Sequence, residues 1–285
     1  MKKRVAVGIL YSGRKGKDEE IFLKLAKKNN IKLCLINISA EIGEEKIRKF
    51  ANECDIIYNS TAEDFSIEVV KTIEGLKRKI IETSEEFYNV EDKWIFYMKC
   101  KDHGVPVPET ILLSGNINIA KKELLKFDKW PVVLKRVDGT MGQFVEKAES
   151  ISQAEKVIEK MWSETSERFP IIAQEMVLSP CYRVTIIDGK IAQTALKENH
   201  GWKATGVYSK KDSKKFPVDK SLEKIIKDLS KFVKIKVCGV DLLKKGEEWV
   251  VLEVNSEPAF DFIETEREKL IGTVLEFLKK EAVKN

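Results

Sequence analysis

The chain has 285 residues, of which 51 are basic and 46 acidic, and its formal net charge is +5 at pH 7. A balance so close to neutral argues against a nucleic-acid-binding protein, but it is compatible with an anionic ligand or an acidic partner. The length exceeds that of one average domain, so we expect two or three domains that share one site.

Cysteine usage and hydropathy indicate the compartment. The cysteines are odd in number and have no close pair in sequence: Cys34, Cys54, Cys100, Cys181 and Cys238. This spacing argues against a disulfide framework or a zinc site and favours a reducing cytosol. The early apolar run VAVGILY is too short for a signal peptide, and no stretch approaches the length of a membrane span. We therefore expect a cytoplasmic protein without membrane contact.

The first part of the chain alternates strands with helices. Helical spacing predicts helices over Asp18–Asn29 and Ser66–Gly75. Short apolar runs predict four strands: Arg4–Leu10, Lys32–Ile38, Asp55–Asn59 and Lys79–Ile81. This alternation predicts a small parallel sheet.

A domain boundary is expected near Gly104. A helix over Val90–His103 ends there, and the following VPVPE cannot continue it. Beyond this point the predicted strands are Val132–Arg136, Phe144–Lys147, Ile171–Glu175, Tyr182–Ile187 and Lys190–Leu196. The predicted helices are Ile119–Phe127, Ser152–Glu164, Ser221–Phe232 and Glu266–Glu281. The mixture indicates an α+β unit, unlike the alternating first part.

The stretch GVDLLKKGEEWVVLEVNSEPAF predicts a hairpin with three polar residues inside apolar strands. Pairing about the turn Lys244–Glu248 brings Asp241 close to Glu253, and Asn255 follows on the same strand. Strict alternation places Glu253 and Asn255 on the same face as Trp249 and Val251, opposite Val250, Leu252 and Val254. Oxygen ligands suit a hard cation such as magnesium, completed by phosphate oxygens. The alternative is that these residues are solvated strand ends.

Two further stretches carry candidate nucleotide contacts. In WPVVLKRVDGTMGQFV, Lys135 ends a strand and the loop Gly139–Gly142 follows, which suits a phosphate, although the spacing is not that of a Walker A motif. In IIAQEMVLSP, a strand ends at Gln174-Glu175, and the interrupted edge leaves backbone groups for a planar base. The alternatives are a surface hairpin with an ordinary lysine and an edge strand that ends at proline.

Five stretches, taken in their order along the chain, resemble the ATP-grasp ligases, most closely the RimK-like amino-acid ligases. They are DKWIFYMKCKDHGVPVPET, WPVVLKRVDGTMGQFV, IIAQEM, YRVTIIDGKIA and GVDLL…LEVNSEPAF. The nearest branch looks like the lysine-biosynthesis enzyme that joins aminoadipate to a carrier protein. The resemblance implies an ATP-grasp fold of the α/β (α+β) class. It implies an N-terminal α/β domain (1–88), a central lobe with the glycine loop (89–175) and a C-terminal lobe with the magnesium site (176–285).

The resemblance also implies roles for individual residues. Lys93 and Lys135 match the lysines that hold the ATP phosphates, and Lys135 and Arg183 are the candidate catalytic residues, with Arg183 facing the tetrahedral oxyanion. The other implied ATP contacts are the glycine-loop residues Gly139, Thr140 and Gly142, the adenine-hinge residues Gln174, Glu175, Met176 and Val177, and the phosphate contact Lys203. The implied ligands of Mg2+, with Mn2+ also suitable, are Asp241, Glu253 and Asn255.

Two positions depart from the family pattern. Cys181 stands where RimK-like enzymes carry an acid for the ribose, and Lys203-Ala204-Thr205 stands where they carry Arg-x-Asn near the phosphates. These changes bear on how tightly ATP is held. The lysines, the glycines and the three oxygen ligands remain, so the pattern favours an active enzyme.

The resemblance implies an ATP-dependent carboxylate–amine ligase that works through an acyl phosphate and adds glutamate or a similar amino acid to a small molecule or protein. A small-molecule kinase and a non-catalytic nucleotide-binding regulator are the alternatives. Expected partners are amino-acid and carboxylate substrates, and an acidic carrier or target protein is a candidate because of the lysine-rich segment Lys210–Lys215. We expect a homo-oligomer, either dimer or tetramer.

Overall fold

Three four-stranded sheets organise the protein. The computed structural model describes residues 4–38, 42–61, 63–139, 142–164, 167–197, 201–203 and 213–284. No helix in these ranges is both long enough and apolar enough to cross a membrane. The α+β class expected from the sequence is confirmed.

The N-terminal sheet is parallel, with strand order β2-β1-β3-β4, as the alternating pattern predicts. Its strands are β1 (Ala6–Ser12), β2 (Lys32–Ile38), β3 (Ile56–Asn59) and β4 (Ile80–Ile81). Its helices are α1 (Lys17–Lys28), α2 (Glu44–Glu53) and α3 (Asp64–Gly75). Helix α2 is absent from the sequence expectations because only Ile47, Phe50 and Ala51 form its apolar stripe, among many charged residues.

The connection to the central lobe consists of two helices, α4 (Ser84–Glu91) and α5 (Lys93–Asp102), where the sequence predicts one. The carboxylate of Asp92 accepts hydrogen bonds from the backbone N–H groups of Trp94 (2.9 Å) and Ile95 (2.8 Å). This N-cap starts a new helix and turns the chain at Asp92. As a result, Glu91 and Lys93 lie on either side of the turn.

The central lobe has a sheet with order β5-β8-β6-β7, packed on one side against two helices. The elements are β5 (Thr110–Leu113), α6 (Ile117–Phe127), β6 (Val132–Arg136), β7 (Val145–Ala148), α7 (Ile151–Ser163) and β8 (Ile171–Glu175). The strands pair antiparallel. Val132 and Leu134 enter the core beneath α6 and α7, so Val133 and Lys135 point to the opposite face.

The C-terminal lobe has an antiparallel sheet with order β10-β9-β11-β12. Its elements are β9 (Cys181–Ile187), β10 (Lys190–Lys197), α8 (Lys220–Leu229), β11 (Val237–Lys245) and β12 (Glu248–Asn255). Helix α8 packs on the face that carries Val184, Val240 and Trp249. The other face is turned towards the central sheet.

The last helix, α9 (Arg267–Ala282), follows a short 3-10 helix (Glu264–Glu266) and packs against the N-terminal sheet. Its side chains Ile271, Val274 and Leu275 share one core with Val7 and Ile9 of β1. Sequence boundaries place this segment with the C-terminal lobe, whereas in the fold it covers the first sheet.

Candidate active site

A cleft lies between the central and C-terminal sheets, on the faces that are not covered by helices α6, α7 and α8. Two adjoining pockets, of about 460 Å³ and about 370 Å³, meet at Lys135. The larger pocket is lined by Val90, Glu91, Lys93, Lys135, Gly139, Gly142, Val145, Glu253, Val254 and Asn255. The smaller pocket is lined by Pro108, Val133, Lys135, Val145, Gln174, Glu175, Met176, Val177, Trp202, Lys203, Leu243 and Leu252.

Lys135 occupies the junction of the two pockets and is only 5% exposed. Its ammonium donates a hydrogen bond to Oε1 of Gln174 at 2.8 Å, and Nε2 of Gln174 donates to the Thr110 hydroxyl at 2.9 Å. Burial lowers the pKa of Lys135 to about 8, a shift that the Glu253 carboxylate opposes and the Lys93 ammonium reinforces. A bound anion would stabilise the charged form of this lysine.

Lys93 approaches the same pocket from the start of α5. Its ammonium donates to the carbonyl oxygen of Gly139 at 2.7 Å, which ties it to the glycine loop. Gly139 has φ +102° and Gly142 has φ +70°, values that disfavour other residues and let the loop fold over the cleft. Thr140 lies outside the described residues.

The smaller pocket has the character of a base-binding slot. Apolar side chains from the two sheets face one another across it, among them Val133 and Leu252. Met176 and Val177, just after β8, line its edge. The Glu175 carboxylate points away to the ammonium of Lys245, at 2.7 Å.

Strand β12 does not alternate strictly. Asp241 pairs with Glu253, as the hairpin predicts, but Leu242 pairs with Val251, so Leu252 is an extra residue in a bulge. Trp249, Val251 and Val254 consequently enter the core under α8, whereas Val250 and Leu252 pack on the cleft side. Glu253 and Asn255 line the larger pocket. The expected grouping of Glu253 with Trp249 and Val251 is therefore wrong, because the bulge changes the phase.

Asp241 lies behind Glu253 and is 1% exposed. Its carboxylate contacts Nε of Arg183 at 2.7 Å and the ammonium of Lys197 at 3.0 Å. Although burial opposes ionisation, the charges of Arg183 and Lys197 hold the pKa of Asp241 below its usual value. Arg183 and Asp241, unlike the other candidates, are therefore engaged with one another rather than lining either pocket.

Lys197 is a site residue that sequence reasoning missed. It ends β10, is 2% exposed, and lies with Arg183 near the ring of Phe262. Gly239 makes room for this arrangement, because a Cβ there would come within 1.8 Å of an Arg183 nitrogen. A single lysine at a strand end carries no motif, so only the three-dimensional pairing reveals it.

Glu91 is a second missed residue. It lines the larger pocket and accepts a hydrogen bond from the Ser256 hydroxyl at 2.8 Å. Burial raises the pKa of Glu91, and the nearby Glu253 carboxylate adds to the rise. The helix break at Asp92 brings it into the cleft, and sequence periodicity gives no sign of that break.

Polar residues of the larger pocket could supply oxygen ligands to a divalent cation. The backbone of Glu253 pairs with that of Asp241, and its side chain lines the larger pocket. Nδ2 of Asn255, an N–H donor, is buried without a partner among the described residues and would be satisfied by an acceptor such as a phosphate oxygen, whereas Oδ1 is the atom that could face a cation. Within the described ranges, no three or more His, Cys, Asp or Glu residues are placed to hold a metal. The candidate set contains an amide and needs ligands from outside the chain.

The two departures from the family pattern lie in different settings. Cys181 is fully buried among Leu243 and Val250, and burial, followed by the charge of Asp241, raises the pKa of its thiol. Lys203 lines the base slot beside Trp202. Ala204 and Thr205 lie outside the described residues.

Comparison with known proteins identifies the family. Residues 90–276, more than half of the chain, match the RimK-like ATP-grasp domain. A probable alpha-L-glutamate ligase of Psychromonas ingrahamii is 31% identical over 62% of this chain and 59% of its own. The coenzyme gamma-F420-2:alpha-L-glutamate ligase of Methanococcus maripaludis is 25% identical over 68% of each chain.

Solved structures share the fold at low identity. A RimK domain ATP-grasp protein of Sphaerobacter thermophilus has a TM-score of 0.75 at 14% identity, covering 96% of this chain and 99% of its own. The D-alanine–D-alanine ligase of Bacillus anthracis, solved with ATP, has a TM-score of 0.72 at 15% identity, covering 98% and 97%. These matches show a shared fold, and because the family model covers more than half of its length, the chain belongs to the RimK-like ATP-grasp family.

Proposed function

We propose that this protein is an ATP-dependent ligase that joins a carboxylate to an amine and releases ADP and phosphate. The observation that carries the proposal is the composition of the cleft. Lys93, Lys135 and the glycine loop line one wall, and Glu253 and Asn255 line the other. The names of the relatives support glutamate, or a similar amino acid, as one of the substrates.

The chemistry follows from charge. A carboxylate is a poor electrophile, and transfer of a phosphoryl group from ATP converts it to an acyl phosphate. The amine then attacks the acyl carbon, the C–N bond forms, phosphate leaves with the electron pair of the broken C–O bond, and the amine proton passes to solvent. Lys93 and Lys135 would balance the charge on the phosphates in both steps.

Arg183 remains the candidate for the tetrahedral oxyanion, now together with Lys197. Both cations lie on the cleft-facing side of the C-terminal sheet and are held by Asp241. Loss of one oxyanion donor typically raises the barrier by about 2.7–4 kcal/mol.

Magnesium would be held by Glu253 and Asn255, with Asp241 behind them, and manganese suits the same ligands. When bound, the ion neutralises the phosphate oxygens. In addition to its place behind the proposed metal ligands, the Asp241 carboxylate balances the buried charges of Arg183 and Lys197. Closure of the glycine loop would exclude water from the acyl phosphate.

The decisive experiment measures ADP and free phosphate separately against a panel of carboxylates and amines. A ligase forms both products in equal amounts and requires an amine as well as a carboxylate. A kinase forms ADP without free phosphate, and a regulator forms neither. Phosphate release that does not depend on the amine would contradict the ligase assignment.

The proposal extends to the partners of the protein, its assembly and its compartment. We propose an acidic carrier or target protein as one acceptor, a homo-oligomer and a cytoplasmic location. The free cysteines support a reducing compartment. Light scattering after gel filtration tests the assembly, and a monomer at micromolar concentration would contradict it.

A further inference from the structure

The N-terminal fold brings two cysteines together that are 20 residues apart along the chain. Cys34 lies on β2 and Cys54 ends α2. Both pack in the core between the sheet and helices α2 and α3, where Cys54 is 6% exposed and Cys34 is half-buried. Sequence spacing alone gives no reason to pair them.

Gly8 of β1 shows how the two sulfur atoms approach one another. Its α-carbon pairs directly with that of Cys34 on the neighbouring strand. A Cβ on Gly8 would lie 2.8 Å from Sγ of Cys54, so the thiol fills the space that this glycine leaves. Neighbouring strands are about 4.8 Å apart, and residues opposite one another share a face. Cys34 and Cys54 therefore flank the same glycine on the same face.

The surroundings favour chemistry at Cys34. The ammonium of Lys32 lies two residues earlier on the same side of β2, and the pKa of Lys32 is raised first by its hydrogen bond to Glu53 and then by Cys34. Peroxide reacts with the thiolate form of a cysteine, and access to solvent decides which thiol it reaches. Burial, followed by the nearby Cys34, raises the pKa of Cys54. The half-buried Cys34 is thus the thiol that meets an oxidant first.

We propose that Cys34 and Cys54 form a reversible intramolecular disulfide when the protein meets hydrogen peroxide. The Cys34 thiolate attacks one peroxide oxygen, which gives a sulfenic acid and releases hydroxide. The sulfur of Cys54 then attacks the sulfur of Cys34, the S–O bond breaks, and the second oxygen leaves as water. Two thiols and one peroxide become one disulfide and two waters. This modification is independent of the ligase chemistry.

Peptide mapping tests the proposal directly. The native protein is treated with limiting hydrogen peroxide, its remaining thiols are blocked, and it is digested with trypsin without reduction. Trypsin places the two cysteines in separate peptides, Leu33–Lys46 and Phe50–Lys71, each with a single cysteine. We expect these two peptides to be cross-linked and two of the five thiols to be lost. Dithiothreitol should restore both thiols in full.

Alanine variants define the specificity. Cys34→Ala and Cys54→Ala should each lack the cross-link, and Cys54→Ala should accumulate a Cys34 sulfenic acid that dimedone traps. Cys100→Ala, which alters a buried thiol in another core, should keep the cross-link. Absence of the cross-link in the native protein, pairing with another cysteine, or a cross-link only between two chains would overturn the proposal.

Discussion

At the scale of single residues, we expect the burial of Lys135 to couple nucleotide binding to pH. Its pKa is lowered to about 8, and a bound phosphate would stabilise the ammonium and raise that pKa. ATP binding should therefore take up a proton above pH 8. The affinity should be constant below that pH and fall by up to about tenfold per unit above it.

Calorimetry in buffers of different ionisation enthalpy measures this proton uptake at pH 8.5. Lys135→Arg is the matched variant, because a guanidinium stays charged throughout the range. It should bind ATP with a flatter pH profile. An unchanged decline in affinity above pH 8 in this variant would assign the titration to another group.

Removal of the two hairpin carboxylates, Asp241 and Glu253, should change the free energy of unfolding by different amounts. Asp241→Asn leaves two buried cations without their anion, so the free energy of unfolding should fall by about 3–5 kcal/mol. Glu253→Gln removes a carboxylate whose charge favours the Lys135 ammonium but disfavours the Glu91 carboxylate, and the change in stability should stay within about 0.5 kcal/mol.

Denaturant unfolding and nucleotide titrations with and without magnesium separate these effects. Glu253→Gln should lose the magnesium dependence of nucleotide binding while remaining folded. Equal stability of the two variants would show that the ion pairs around Asp241 are weaker than the geometry indicates.

At the scale of elements, the bulge in β12 turns two consecutive side chains towards the cleft. It places an apolar side chain, Leu252, in the base slot directly beside the carboxylate of Glu253 at the phosphate end. A regular strand turns consecutive side chains to opposite faces, so it could not present both to the cleft. In the proposed function, the bulge would therefore join base recognition to metal binding.

Truncation of the bulged residue tests this division. Leu252→Ala should weaken ATP binding by roughly 5- to 30-fold, because about 1–2 kcal/mol of apolar contact is lost. Binding of inorganic tripolyphosphate, which lacks the base, should not change. Leu178→Ala, at a side chain 74% exposed, is the control and should affect neither ligand. Equal weakening for both ligands would contradict a base-specific role.

At the scale of the whole molecule, α9 connects the C-terminus to the first sheet. Ile271 is fully buried against the core of β1, so Ile271→Ala should lower the free energy of unfolding by about 2–5 kcal/mol. Glu276→Ala, on the exposed side of α9, should change it by less than about 0.5 kcal/mol.

Hydrogen exchange shows which part of the molecule responds. Amides of β1 and β3 should exchange faster in Ile271→Ala, and those of the central sheet should be unaffected. Faster exchange confined to the C-terminal lobe would instead favour the predicted domain of residues 176–285.

Much of the molecule was accessible from sequence because local patterns decide it. Strands β2, β6 and β8 fall where short apolar runs predict them, and the parallel first sheet follows from alternation with helices. The ordered motifs predicted the ATP-grasp family, which is confirmed. The roles of the individual site residues remain predictions.

Other features depend on contacts between distant parts of the chain. Four features show no pattern in the sequence, because each depends on a neighbour from another element. They are the helix break that brings Glu91 into the cleft, the pairing of Lys197 with Asp241, the packing of α9, and the proximity of Cys34 and Cys54. Sequence determined which strands, loops and ligand types the chain contains, since these follow from local backbone and hydropathy preferences. Tertiary structure alone decided which charges are neutralised within the fold and which are left for a ligand, since that depends on burial and proximity.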